Sequence, residues 1–403
     1  MANSGMDTTS IVADRGAGQA LTVWFGDQLY RPAGAGVAGS DLAQFGPALP
    51  DSAVTAALNP FILIAMDVCL IVPGSLATIS GGLRYDRCMA DGLRALGHTV
   101  RVAELDGNLP DPDQPAIYAA RTLWSALPDG CARLIDGLAL PAFAGLPMHA
   151  VTALIHLPAS LETGLPADAA QRLHATEAAM FRGVPRVVAT SDQTAECLIR
   201  DFGVPHDRIA VVIPGIGDPP RCLGSAGPGC HILSAGALIP RKGHDDLLRA
   251  LGRLTDLDWT LTIAGSAGRD PACAAALRTL VRDLDLAGRV QWASEPTDAL
   301  WQAADLFALM SYAEGYGVAT AEALRRGLPV AVTSVGAVPV MVAPDAGVVC
   351  AVGDTEQMSK AMRRLIFDRP LRADIAAAAW QSSRDMPGWD TQAGQLADVL
   401  GAR

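Results

Sequence analysis

Short apolar runs and amphipathic stretches alternate along most of this chain, separated by glycine, proline and polar turns. Positions 62–72 form an apolar run interrupted only by Asp67, which reads as a buried strand. It is well short of the about 20 apolar residues needed to span a bilayer. An amphipathic stretch at 85–96 follows, closed by Gly97, and then a strand at 98–102. Gly81 and Gly82 lie at the turn between the first strand and this helix. The result is a strand–turn–helix–strand unit. Further strands are expected at 133–135, 150–156, 187–190 and 209–213, with helices at 167–181 and 192–201.

The stretch 214–229 is rich in glycine and proline and reads as a linker. A second alternating run then begins. It predicts strands at 232–235, 259–264, 290–293, 306–310 and 330–333, and helices at 245–254, 271–283, 298–304 and 317–326. The tail reads as helical over 355–365 and 371–403. Alternation of this kind implies parallel sheets covered on both faces. The expected organisation is an irregular extension over 1–58, a domain over 59–214, a linker over 215–230 and a second domain over 231–388. Residues 389–403 form a closing helix that crosses back to the first domain. In the extension, 21–25 has strand character but no visible partner.

Composition narrows the class. The chain has 403 residues, 50% of them hydrophobic and 18% charged, enough apolar material for two cores. The formal net charge of −11 disfavours nucleic acid as a partner. The eight cysteines form no C-x-x-C pair and no cluster with zinc spacing, so they read as small core residues in a reducing cytoplasm. Residues 1–20 lack the basic start and apolar core of a secretory signal. A peripheral membrane contact remains compatible with the sequence, and the oligomeric state is not legible in it.

Four segments carry chemistry. Ser311-Tyr-Ala-Glu-Gly-Tyr-Gly-Val318 joins a strand to a helix. Glu314 sits in the loop, Gly315 and Gly317 allow close backbone approach, and Glu322 lies on the helix that follows. Two carboxylates so placed can grip two polyhydroxyl groups, and the free N–H groups of the helix start suit an anion. The plainer reading is a helix-terminus charge effect of about 0.3–1 kcal/mol and a solvated Glu322. Gly236-Ala-Leu-Ile-Pro-Arg-Lys-Gly243 also joins strand to helix, with Arg241 and Lys242 placed for a pyrophosphate. A solvated Arg-Lys pair is the plainer alternative. Gly81-Gly82 suits a phosphate or simple packing. His156-Leu-Pro158, with Glu162 nearby, stands at the carboxyl end of a strand, where ligand crevices form in α/β sheets. Gly34-Ala-Gly-Val-Ala-Gly39 matches G-x-G-x-x-G, but no strand precedes it and no acidic residue follows on a second strand, so it is set aside. Asp256-Leu-Asp258 and Asp283-Leu-Asp285 read as chance D-x-D matches, and no metal site is expected.

Together these segments resemble retaining glycosyltransferase family four, which has the GT-B fold: α/β, with two Rossmann-like β/α/β domains facing each other across a donor-binding cleft. The resemblance runs from about residue 61 to the C-terminus. It rests on Gly81-Gly82, His156-x-Pro158, Thr190-Ser191, Pro214-Gly215, Arg241-Lys-Gly243 and the closing Trp389-Asp390 helix. Its most specific part is the pair Glu314 and Glu322, separated by seven residues.

The resemblance implies transfer of a hexose from a nucleotide-diphosphate sugar to an acceptor hydroxyl on a small molecule, glycan or lipid, with retained anomeric configuration. No cofactor is implied, and no metal is expected to be required. Lys242 would hold the donor diphosphate, with Arg241 beside it. Glu314 would accept from sugar hydroxyls, near the backbone of Gly315, Tyr316, Gly317 and Val318. Glu322 would bind the ribose, Gly81 and Gly82 would approach the phosphates, and His156 would face the reacting centre. One position departs from the family: Ala237 stands where an arginine is usual, and a lost charge-assisted contact costs about 1.5–3 kcal/mol unless replaced. Arg241 is the candidate replacement. Two other readings follow: a non-catalytic module that binds nucleotide or glycan, and a different GT-B enzyme such as a nucleotide-sugar epimerase or a phosphorylase.

Overall fold

The computed structural model describes residues 65–401 except 79 and 226, together with three short strands nearer the N-terminus. Those strands, β1 (Ala13–Asp14), β2 (Thr22–Phe25) and β3 (Gln28–Tyr30), pair antiparallel. The strand expected at 21–25 therefore has partners. The β2–β3 register pairs Val23 with Tyr30, Trp24 with Leu29 and Phe25 with Gln28. The G-x-G-x-x-G match at 34–39, the rest of the expected irregular extension and the start of the apolar run at 61–64 lie outside the described residues.

Two six-stranded parallel sheets follow. The first holds β4 (Asp67–Pro73), β5 (Thr99–Leu105), β6 (Ala132–Asp136), β7 (Val151–Ile155), β8 (Arg186–Ala189) and β9 (Ile209–Val211), in the order β5-β4-β6-β7-β8-β9. Helices α1 (Gly81–Ala95), α2 (Gln114–Ala126), α3 (Ala167–Gly183) and α4 (Asp192–Phe202) connect them. Val68 to Val72 are all nearly fully buried, because helices cover both faces of a parallel sheet and leave no polar side.

The second sheet holds β10 (Cys230–Ala235), β11 (Trp259–Ala264), β12 (Val290–Ala293), β13 (Leu306–Leu309), β14 (Val330–Thr333) and β15 (Gly347–Cys350). Their order is β12-β11-β10-β13-β14-β15. Its helices are α5 (His244–Gly252), α6 (Pro271–Asp283), α7 (Asp298–Ala303), α8 (Val318–Arg325), the short α9 (Val338–Met341), α10 (Thr355–Phe367) and α11 (Arg369–Ser382). Each sheet reverses strand order once, at β4/β6 and at β10/β13. In open α/β sheets ligand crevices form at the carboxyl ends of strands beside such reversals.

Two expectations need correction. The helix α1 starts at Gly81 rather than at 85. Ser80 caps it by accepting from the Leu83 N–H at 3.1 Å, so Gly81 and Gly82 are the first helical turn, not a loop. The tail is not continuous from 371 either. It breaks between Ser382 and Trp389, where Pro387 and Gly388 disfavour helix and Ile216 N–H bonds to the Pro387 carbonyl at 2.8 Å. Arg325 fills the break, its Nη1 donating to the Ser383 and Arg384 carbonyls at 3.0 Å each.

The final helix, α12 (Trp389–Gly401), packs on α1 of the first lobe. Ala393, Leu396, Ala397 and Leu400 share a core with Val68, Tyr85, Met89 and Leu93. Gly92 permits that contact, since a Cβ there would lie 2.4 Å from the Ala393 methyl. The Tyr85 hydroxyl donates to the Val212 carbonyl at 2.9 Å, which ties the same core to the chain leaving β9.

Candidate active site

A cleft of about 530 Å³ lies between the lobes, at the carboxyl ends of β4, β6 and β7 on one side and of β10, β11 and β13 on the other. All eleven residues singled out from the sequence line it: Gly81, Gly82, His156, Arg241, Lys242, Glu314, Gly315, Tyr316, Gly317, Val318 and Glu322. Thr190 and Pro214 line it as well.

Lys242 ends a 3-10 turn (Pro240–Lys242), and Gly243 follows it in the left-handed region at φ +57. A Cβ at 243 would meet the Met310 carbonyl at 1.9 Å, so glycine brings this loop against β13. The contact delivers Lys242 to Glu314: its Nζ donates to Glu314 Oε1 at 2.5 Å. Ser311 Oγ donates to the same oxygen at 2.7 Å, while Arg241 Nη1 stands 3.7 Å from Oε2. Burial alone would push the Glu314 carboxyl up, but the Lys242 and Arg241 cations outweigh it and hold it below the usual range. Burial lowers the Lys242 ammonium, against the pull of Glu314. The solvated Arg-Lys pair is thereby overturned, since the Arg241 and Lys242 side chains are only 12% and 15% exposed.

Glu322, the fifth residue of α8, is also buried rather than solvated, at 4% exposure. Arg84 of α1 pairs with its Oε1 across the cleft, and Arg326 stands 3.7 Å from its Oε2. Gly317, at φ +94, begins α8 with no side-chain cap, which leaves the first N–H groups of the helix free for a ligand. Gly315 brings the lobes together: a Cβ there would lie 1.9 Å from the His156 carbonyl oxygen. Its own carbonyl accepts from Ser191 Oγ at 2.9 Å.

His156 follows β7 and packs over Gly82, where a Cβ would lie 3.0 Å from its Cδ2. Gly82 thus serves the approach of this ring, whereas a Cβ at Gly81 would meet nothing within 4 Å. His156 Nε2 stands 3.1 Å from Asp86 Oδ1 and 3.4 Å from Asp136 Oδ2, between two carboxyl groups. Burial alone would lower the imidazole, but Asp86 and Asp136 raise it well above its ordinary value. Burial pushes the Asp86 carboxyl up. These three residues are also the one group of possible metal-ligand atoms among the described residues, all within 4.8 Å of one another. Sequence reading missed Asp86 and Asp136. The signal for Asp86 was an acidic residue on the apolar face of α1, beside Leu83, Met89 and Ala90. Sequence reading also missed Arg84 and Arg269.

Of solved structures, sucrose-phosphate synthase from Thermosynechococcus elongatus matches with a TM-score of 0.71 at 18% identity, over 83% of this chain and 98% of that one. Anabaena Alr3699/HepE in complex with UDP and glucose matches with a TM-score of 0.65 at 20% identity, over 83% and 99%. The fold is GT-B.

Within this GT-B chain, residues 225–382 match the family described as glycosyl transferases group 1. The D-inositol 3-phosphate glycosyltransferase of Xylanimonas cellulosilytica is 32% identical over 235 residues, 53% of this chain and 56% of that protein. That of Streptomyces griseus is 27% identical over 291 residues, 63% and 61%. The chain spans between about half and two thirds of the length of these curated relatives. No helix among the described residues is long and apolar enough to cross a membrane.

Proposed function

We propose that this chain is a retaining hexosyltransferase of family-four type, moving a hexose from a nucleotide-diphosphate sugar to an acceptor hydroxyl in the cytoplasm. The observation that carries the reading is the buried Lys242–Glu314 pair in the cleft, with Glu322 on the helix behind the glycine loop. As the sugar leaves, negative charge grows on the diphosphate. A cation already fixed beside it lowers that barrier without reorganisation. Glu314 takes up sugar hydroxyls, Glu322 the ribose, and the free N–H groups at Val318 a phosphate or hydroxyl. His156 faces the sugar from the other lobe as a proton-bearing donor held by Asp86 and Asp136. Approach of the lobes keeps water from the donor.

The protein's own cations supply the charge in this proposal, so chelation of divalent metal is expected to leave the rate unchanged. UDP-hexoses are the first donors to test, because HepE is seen with UDP-glucose, and D-inositol 3-phosphate is the first acceptor, by analogy with the curated relatives. The assay is acceptor-dependent release of nucleoside diphosphate. Lys242→Ala is expected to lower it by about 10²–10³-fold with the fold intact. Near-normal release by that variant would overturn the assignment. Ala237 in the cleft favours one second reading, a non-catalytic binding module, and acceptor-dependent release by the unaltered chain would eliminate it.

A further inference from the structure

Ala237 leaves the diphosphate site without its usual arginine, yet two guanidinium groups converge nearby on an anion the protein supplies itself. Glu162, just after the 3-10 turn (Ala159–Leu161) of the first lobe, bridges two arginines of the second lobe. Its Oε1 accepts from Arg241 Nε at 2.9 Å, and its Oε2 accepts from Arg269 Nη2 at 3.3 Å. A carboxylate shared by two guanidinium groups presents the contacts a phosphate would make, with less charge. All three residues and Ala237 line the same cleft.

We propose that Arg241 and Arg269 together form the anion subsite that replaces the missing arginine, and that Glu162 occupies it until a diphosphate displaces it. This rests on the transferase reading for the arginine expected at 237 and for the identity of the anion's parent molecule, while the paired arginines and Glu162 stand on their own geometry. Arg241 is pinned independently, its Nη1 donating to the Ala313 carbonyl at 2.8 Å, so it stays in place when Glu162 leaves. Arg269 follows β11 on a loop and is 47% exposed, so it can swing onto an incoming phosphate. Glu162 also crosses between lobes. Its displacement exchanges two inter-lobe ionic contacts for a ligand held by the same arginines.

The test uses inorganic pyrophosphate, which carries no base or sugar, titrated calorimetrically into the full chain at low salt. Glu162→Gln keeps the shape and removes the competing charge, and is expected to tighten pyrophosphate binding by about fivefold or more. Arg269→Gln is expected to weaken it by about tenfold. In the Arg269→Gln background, Glu162→Gln gains much less. Glu162→Asp, which keeps the charge, stays near the unaltered chain and controls for loop damage. A merely structural Glu162 would give weaker or unchanged binding on substitution, and that result overturns the proposal. So does an Arg269→Gln variant that binds normally. If pyrophosphate responds as expected while no nucleotide sugar is turned over, the subsite stands and the transferase reading falls. If transfer depends on Lys242 but neither substitution moves pyrophosphate affinity, the subsite falls and the transferase reading stands.

Discussion

Gly315→Ala separates the approach of the lobes from the stability of each. Residue 315 is not among those with positive φ, so its backbone accepts alanine without strain. The added Cβ would lie 1.9 Å from the His156 carbonyl oxygen, whereas ordinary contact begins near 3.4 Å. Both partners are backbone, so no side chain can turn aside, and the lobes must part by about 1.5 Å at this point. That movement carries the Gly315 carbonyl out of reach of Ser191 Oγ, now 2.9 Å away. Losing the bond costs the closed arrangement about 0.5–1.5 kcal/mol, and a displacement of this size in a reacting geometry costs about 10²-fold in rate. Neither lobe's core includes residue 315. Acceptor-dependent release of nucleoside diphosphate should therefore fall by about two orders of magnitude, while calorimetric unfolding stays within about 1 kcal/mol of the unaltered chain. Undiminished turnover would refute the role assigned to this glycine. A fall in stability as large as that of a core truncation would refute it too.

Two further outcomes test the energetics. Burial holds the His244 imidazole down at about 4, from an ordinary value of 6.5, so it is neutral when folded, with Nδ1 beside Ser234 Oγ and Nε2 beside the Gly236 carbonyl. As pH falls below 6.5 the unfolded chain takes up this proton first. Stability present above 6.5 is then lost down to about 4, by up to about 3 kcal/mol. Urea unfolding between those values should show a shallower loss for His244→Gln, and an identical slope would refute the assignment. Leu396→Ala, on a fully buried residue of α12, should cost about 2–5 kcal/mol by thermal unfolding. A cost under about 1 kcal/mol would mean that α12 is not part of the first lobe's core.

Much of the architecture was legible residue by residue. Strands β11, β12 and β14 and helix α6 lie where the alternation of apolar and polar positions put them, and the α/β GT-B expectation is borne out by the paired parallel sheets. The edge strand β15 and helix α2 were not singled out. Neither has a run of large apolar residues: β15 is Gly-Val-Val-Cys, and α2 buries only Ala116 and Ala120. The eleven candidate residues line one cleft, and all but Glu322, the fifth residue of α8, lie where a strand gives way to a turn or to the start of a helix.

Their electrostatic partners were not legible in the sequence. Arg84 meets Glu322 from 238 positions away, Arg241 meets Glu162 from 79, and Asp86 meets His156 from 70. Periodicity records which face of a segment is buried, since that depends on the segment's own turns. Which charge faces which across a cleft depends on how two sheets are set against each other, and no local pattern encodes that. The sequence alone determined the alternating strands and helices, the glycine loops and the acidic and basic groups at strand ends. Only the tertiary structure decided that those groups neutralise one another in the cleft, that His156 lies between two carboxyl groups, and that Glu162 bridges Arg241 and Arg269.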